Sequence, residues 1–574
     1  MKISNPLKYF IILMVIFLPY FFGINLVQDN KASVISLILF VGIVCFASLN
    51  NNFSKKNFDL GFNYFYINFL NIVLLFVFII ITQNYYLNYE TITWDVASYL
   101  VASQEINQGY LPFETQWESK GPLFMYLFNA VSIIAGKNYL YFRLYNDVLI
   151  FLITCLMYFK ILIHTDSNKL KALVGSLFFS SLVSNVWYVS EYSEIYCLLF
   201  ISLVSFLFSK YHFGKYITPV YGALLSMATL INQGTILFTF PLLFLLILKT
   251  KRSELVKKLI NFSIGFIFPH IFFILLYASR DLTNIYLANY ISIPLSYISS
   301  NDSSLYELMV WLRGFFDYNY FLYSSIIVVI FFSIIDYFLK ILINKNLKEL
   351  ISDFDNLNLI FAIAFYFIAG HNYYHHLFYF LFFLPFLIIK ITKSSHISLI
   401  NSFIIFASTS ILINTFEISS NNLIQRNQIY QNYPLYQLSV EIDRNFTNNY
   451  DVLALDYVLV LYYLQKPNNS YIVHPSNHFE DYIVNELIDL KKIQTNELSY
   501  ISKLIEDEPT VLLCNPILII KGVPSKTDPY NCHIADYKKQ YLQLDTSMIK
   551  SNKNLDYYRD PYEKINVYIN EEKK

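Results

Sequence analysis

Long apolar blocks limit what this chain can become. Runs of roughly 18 or more residues with few charges, the length a helix needs to cross the hydrocarbon of a bilayer, recur between Tyr9 and Phe416 with shorter blocks among them. The candidate spans are Tyr9–Val27, Ser33–Leu49, Leu60–Thr82, Tyr145–Ile163, Ala172–Val189, Ile195–Phe208, Tyr216–Ile231, Thr235–Leu248, Leu259–Ala278, Tyr320–Ile343, Leu357–Gly370, His375–Ile391 and Ile397–Phe416, about 13 in all. At 56% hydrophobic and 14% charged residues a soluble chain would aggregate, so the expected class is a polytopic α-helical membrane protein. The formal net charge of +0 excludes a strongly basic nucleic-acid binder. Tyr9–Val27 is followed directly by Gln28-Asp29-Asn30-Lys31, with no small-residue cleavage site, and reads as an uncleaved helix.

The basic residues give the chain a direction. Lys2 and Lys8, Lys55 and Lys56, Lys169 and Lys171, Lys210 and Lys215, Lys249 to Arg252 with Lys257 and Lys258, Lys340 with Lys345 and Lys348, and Lys390 with Lys393 fall on alternate connections. By the positive-inside rule these are cytoplasmic, with the N-terminus among them. The other connections carry Asp95, Glu191 and Glu194, Asn232 and Gln233, Arg280 to Asn319, and His371 to Tyr374, so the polar chemistry collects on one outer face. The expected location is the plasma membrane of a prokaryote.

The longest of those outer connections lies within residues 83–144. It holds Asp95, an amphipathic run to Gln108, a Gly109-Tyr110-Leu111-Pro112 turn, and Glu118-Ser119-Lys120-Gly121-Pro122. A connection this long is uncommon without a function. Its apolar run Pro122–Ala135 is too short to cross comfortably and reads as interfacial or re-entrant.

Composition changes near Ser419. Residues 1–418 form the transmembrane domain, and residues 419–574 read as a small extracytoplasmic α/β domain. Its expected strands are Asp451–Leu455, Ser470–Val473 and Pro509–Cys514, with helical spacing from His478 to Ile505. Cys45, Cys155 and Cys197 lie in spans, whereas Cys514 and Cys532 lie where oxidation is permitted and could pair. No CxxC or HxxxH spacing supports a protein-built zinc site and no glycine-rich phosphate loop occurs, so the sequence assigns no cofactor and leaves a divalent cation open.

The order of an acid beyond a span, an amphipathic run, Gly-x-Leu-Pro, Trp117-Glu-Ser-Lys-Gly-Pro-Leu123 and a distal Arg143 resembles the first outer loop of the GT-C glycosyltransferases. The protein O-mannosyltransferase and aminoarabinose transferase subgroup is the nearest in layout. The likeness extends to Gly222–Gly234 and to His371–Pro385. It departs where the family has Lys-Pro-Pro and this chain has Lys120-Gly121-Pro122, and where the family often has Lys and this chain has Gln233. The resemblance implies one sugar transferred from a polyprenyl-phosphate donor to a lipid, glycan or protein acceptor on the outer face, with inversion. It makes Asp95 the general base, Lys120, Arg280 and His371 the donor-phosphate cations, and Glu118, Arg143, Glu191 and Glu194 the acceptor- or loop-orienting residues. The metal, if any, is unassigned. A lipid-linked glycan ligase or polymerase and a transporter or flippase are the alternatives, although a transporter places its ionisable groups at mid-span.

Each residue also has a structural reading. Asp95 can cap a helix Val96–Gln108, Lys120 can snorkel, Glu191 and Glu194 can be solvated loop acids, and Arg143 can brace the loop through an ion pair. His371, His375 and His376 look like a metal cluster, and interfacial packing among aromatic rings is the structural reading weighed against it.

Overall fold

The computed structural model describes residues 61–573 apart from 91–92, 186–187, 190, 300–352, 369–372, 392–396, 447–449, 494–496, 515–518, 521–522, 525–540 and 544–565. The spans expected at Tyr9–Val27, Ser33–Leu49 and Tyr320–Ile343 lie outside these residues, as do His371 and Cys532. The described chain is mostly helical: α1 Gly61–Gln83, α2 Trp94–Ser103, α3 Pro122–Ala135, α4 Tyr139–His164, α5 Lys169–Leu182, α6 Ser193–Tyr211, α7 Ile217–Ile231, α8 Thr239–Lys249 and α9 Arg252–Ala278, then α10 Phe354–Ile368, α11 Phe378–Ile391 and α12 Ile397–Ile424. Four of the described segments, Asn68–Tyr86, Tyr139–His164, Ser193–Tyr211 and Arg252–Ala278, are long and apolar enough to cross a membrane. Five further apolar helices are shorter.

Helix α3 coincides with the run expected to fall short of crossing. Its 14 residues extend about 21 Å against a hydrocarbon thickness of roughly 30 Å. Phe124, Phe128 and Val131 are buried on one face while Ile133 and Ile134 are exposed, the pattern of a helix lying against the bundle.

Small residues set the closest approach in the bundle. Gly222 on α7 and Gly265 on α9 face one another so tightly that a Cβ on either would overlap the backbone of the other helix. At the end of α4 remote from Arg143, Lys160 and Asp355 form a buried ion pair, 1% and 3% exposed, that ties α4 to α10. Lys390 of α11 joins through Asp353 and Asp355, and the rings of Phe354 and Phe386 flank the Lys160 ammonium. Arg143 and Lys160 lie about 26 Å apart along the helix, so this cluster sits nearly one bilayer core away from the loop.

The change in composition at Ser419 falls inside α12, which runs on to Ile424. There Ser419 donates to the carbonyl of Ile81 at 2.5 Å, and Asn422 donates to the carbonyls of Asn84 and Tyr85. Helix α13, Pro434–Asn445, follows, with Glu90 at its N-terminus accepting from the N–H groups of Leu435 and Tyr436 at 2.7 and 2.9 Å. Beyond it lies a four-stranded sheet of β1 Val452–Ala454, β2 Val511–Cys514, β5 Tyr541–Gln543 and β6 Asn566–Asn570, in the order β1-β2-β6-β5. The β1–β2 pair is parallel and the others are antiparallel. A small hairpin, β3 Ile519–Ile520 with β4 Val523–Pro524, stands apart.

Both faces of β2 are covered. Val511 and Leu513 join the main core, whereas Leu512 and Cys514 pack with Ile501 and Ile505 of α15, Glu497–Glu506, which explains an uninterrupted apolar strand. The expected helical stretch is split between α14, Asp481–Asp489, and α15. Ser470–Val473 is not a strand of this sheet. Its Ile472 instead makes an isolated parallel bridge with Trp117, because the backbone of the first loop supplies its hydrogen bonds. Cys514 is disulfide-bonded.

Candidate active site

The first loop is folded around one buried acid. Glu105 accepts from the N–H groups of Phe113, Thr115 and Gln116 at 2.7, 2.7 and 3.1 Å, and from the Thr115 hydroxyl at 2.8 Å. Burial pushes its carboxyl up to about 7, against the pull of those four bonds. Gly109, at φ +87°, ends the preceding 3-10 turn in a conformation that favours glycine. So ordered, the loop offers an edge to the C-terminal segment. Gln116 exchanges hydrogen bonds with Asn468, the Trp117 N–H donates to Tyr471 at 2.6 Å, and the Val473 N–H donates back to Trp117 at 3.3 Å. This pairing fixes the register that brings the next residue, His474, to Asp95.

Asp95 does not cap its helix. The chain enters α2 at Trp94, two residues before the expected Val96, so Thr93 is the N-cap and Asp95 lies in the first turn. There its negative charge meets the positive end of the helix dipole. Its Oδ1 lies 3.3 Å from His474 Nε2 and 3.4 Å from the hydroxyl of Tyr99, one turn on. The Asp95 side chain is 34% exposed and that of His474 is 9% exposed. Burial raises the Asp95 carboxyl, but the His474 hydrogen bond and the charges of His474, His375 and Lys120 outweigh it and hold the group below the usual carboxylate range. Burial lowers His474, and the Asp95 carboxylate, helped by Glu118, outweighs that and raises it. The backbone N–H of Ser476 donates to His474 Nδ1 at 3.2 Å, so the neutral ring carries its proton on Nε2, facing Asp95.

Lys120 is held from behind. Asn289 donates from Nδ2 to the Lys120 carbonyl at 3.1 Å, and Gln233 donates to the Asn289 carbonyl at 3.1 Å. Asn289 sits in a π-helical turn, Ala288–Ser292, a geometry frequent at functional sites. The departure to Gly121 now has a reason. A Cβ there would overlap the Leu230 carbonyl, and the Gly121 N–H donates to Ile231 at 2.9 Å, a bond proline cannot make. The Lys120 ammonium rests 6.0 Å from the centre of the Tyr99 ring, and no carboxylate pairs with it among the described residues.

Glu118 is buried, and its Oε1 accepts from the Ser119 N–H and hydroxyl at 2.7 and 2.9 Å. Burial raises its carboxyl despite the pull of His474 and Ser119. Glu191 and Glu194 are not solvated loop acids, since both are fully buried. They also face different neighbours. Glu191 lies in the field of Arg143, beside Tyr139, and burial pushes it up to about 7. Glu194 accepts from Asn232 at 3.0 Å and Ser193 at 3.1 Å, and it meets His375 and His376, all three placing one ligand-type atom within 4.8 Å of the others. Arg143 braces the loop end through carbonyls, donating to Tyr89 at 2.5 Å and Tyr86 at 3.1 Å, and forms no ion pair among the described residues. Arg280, at the exposed end of α9, bonds the Gly109 carbonyl at 2.7 Å and Glu114 at 3.3 Å. The structure thus gathers Asp95, Lys120, Glu118, Glu194, His375 and His474. The last is absent from the residues singled out by the sequence.

Two solved structures share this architecture. ArnT from Cupriavidus metallidurans bound to undecaprenyl phosphate superposes with a TM-score of 0.55 at 11% identity, over 78% of this chain and 92% of that one. Its apo state gives 0.52 at 10% identity over the same shares. The chain has the ArnT fold. ArnT is an aminoarabinose transferase of the GT-C class, so the recognition drawn from the first loop and the architecture agree. No protein-family model and no curated protein matches the sequence. The likeness is one of fold, and the side chains within it are this chain's own.

Proposed function

We propose that this protein is an integral membrane glycosyltransferase that moves one sugar from a polyprenyl-phosphate donor to a hydroxyl of a lipid, glycan or protein acceptor on the extracytoplasmic face. The observation that carries the reading is Asp95, kept ionised by His474, in the field of a Lys120 ammonium that pairs with no carboxylate among the described residues. The undecaprenyl phosphate bound by ArnT supports a lipid-phosphate donor here.

In this reaction the acceptor oxygen attacks the anomeric carbon while the bond to the phosphate oxygen breaks, its electron pair leaving with the lipid phosphate. Lys120 takes up the developing phosphate charge. A carboxylate held this acidic is a weak base toward a resting alcohol. The acceptor O–H becomes strongly acidic as its oxygen bonds to carbon, and Asp95 takes the proton at that stage. His474 keeps the receiving oxygen aimed, and the proton leaves through the exposed third of Asp95. A single displacement at the anomeric carbon gives inversion.

Mass spectrometry of envelope lipids and glycans from cells with and without the gene tests the class. Loss of one sugar with accumulation of its lipid-phosphate donor is expected, and complementation by Asp95→Asn should fail to restore it. Identical profiles with and without the gene would overturn the reading.

A further inference from the structure

We propose that Glu194, His375 and His376 bind one divalent transition cation of the zinc class, with its remaining position open to water or a phosphate oxygen. The phosphate role rests on the function proposed above, whereas the site itself does not.

The ligand set is the first argument. Two imidazoles and one carboxylate suit zinc-like ions with an exchangeable fourth position, while magnesium and calcium favour all-oxygen shells. Geometry is the second. His376 Nε2 lies 3.9 Å from Glu194 Oε1, and the three ligand-type atoms fall within 4.8 Å of one another. A tetrahedral ion with bonds of about 2.1 Å needs its ligands about 3.4 Å apart, so modest side-chain rotations close the site.

The surroundings are those of a supported site. Glu194 stands in the first turn of α6, and the two histidines lie in the 3-10 turn Tyr374–Leu377. The His375 ring stacks with Tyr192, 4.2 Å and 13° away, and with Tyr373, 5.4 Å and 12° away. His376 stands edge-on to Phe365 at 5.7 Å. Asn232 and Ser193 orient the Glu194 carboxylate from behind, as outer-shell donors do for metal-binding acids. All three groups are buried, so an ion would neutralise a carboxylate that is otherwise isolated from solvent. His375 also lies in the electrostatic field of Asp95 and Lys120, which puts the site beside the reaction centre.

Without metal, His376 can simply pair with Glu194, and the experiment separates the two cases. Full-length protein in detergent is stripped with chelator, reloaded with zinc or cobalt, desalted and measured by elemental analysis and visible absorption. One zinc per chain and the intense bands of four-coordinate cobalt are expected. Both should be lost in Glu194→Gln and His376→Gln and kept in Glu191→Gln. A parent protein without the cobalt bands overturns the proposal whether or not the variants fold, and so does equal loading of parent and Glu194→Gln. Metal content is read without transfer. Stoichiometric zinc in a protein that transfers no sugar would sink the enzymatic reading alone, and transfer by a chain that never takes up metal would sink this one alone.

Discussion

Replacing His474 with Asn isolates the contact between the C-terminal segment and Asp95. Asn can still accept the Ser476 N–H at the start of the turn Pro475–Phe479, but it is too short to reach Asp95. The lost bond is charge-assisted and worth about 1.5–3 kcal/mol, which at 1.36 kcal/mol per pKa unit moves Asp95 up by about 1–2 units. With the carboxylate one-third exposed, solvent screening favours the lower end, about one unit. A hydrophobic carbodiimide reacts with protonated carboxyls, so the labelling of the Asp95 peptide against pH, followed by mass spectrometry, reads this directly. The labelling midpoint should rise by about one unit in the variant.

The same pair shapes stability. Asp95, depressed in the folded chain, stabilises above about pH 3.9 and loses this as pH falls through its folded value; His474, raised, stabilises below about pH 6.5 and loses it as pH rises through its own. The melting difference between parent and variant should therefore be widest between about pH 4 and 6.5. Coincident labelling curves together with a melting difference that does not vary with pH would refute the pairing.

Lys120→Ala should weaken binding of a polyprenyl phosphate, measured by titration in nanodiscs, by about 1.5–3 kcal/mol, whereas Lys137→Ala in the same loop should change it little. Gly121→Ala forces a methyl group against the Leu230 carbonyl and should destabilise by about 1–3 kcal/mol, seen as a lower melting temperature. Lys160→Met should lower the melting temperature more than Lys160→Met combined with Asp355→Leu, because the single change leaves the buried Asp355 carboxylate with only Lys390 at 3.5 Å, at a cost of up to about 3–5 kcal/mol, and the combination removes that carboxylate.

The bundle was legible because its signal is local, a helix length and a charge bias. Asp95 and Lys120 were legible because one loop carries both. His474 was not, for its partner lies far back in the sequence and the residues around it read as one more polar segment. Its signal was a histidine directly after the apolar Tyr471-Ile472-Val473 run and directly before a proline that starts a turn. Glu105 looked like the polar face of an amphipathic run, since periodicity does not reveal that a loop will fold back onto a carboxylate. Lys160 was hidden within an apolar block because its carboxylate partner, Asp355, is contributed by a distant helix. Strands β5 and β6 were missed because they are short and polar at alternate positions, and only pairing with β2 and with each other makes them strands.

The bridge between Trp117 and Ile472 also orders events in time. Ribosomes add residues from the N-terminus, so the loop bearing Asp95 emerges about 380 residues before His474 does. At about 5–20 residues per second that interval is roughly 20–75 s. Throughout it Asp95 lacks the imidazole that lowers its proton affinity, and Trp117 lacks the strand it pairs with. A chain stopped anywhere before Val473 therefore leaves the site without its last wall, and a truncated product inserted in the membrane should be inert. Assembly is the first checkpoint this protein passes, and the segment made late is the one that completes the Asp95–His474 pair.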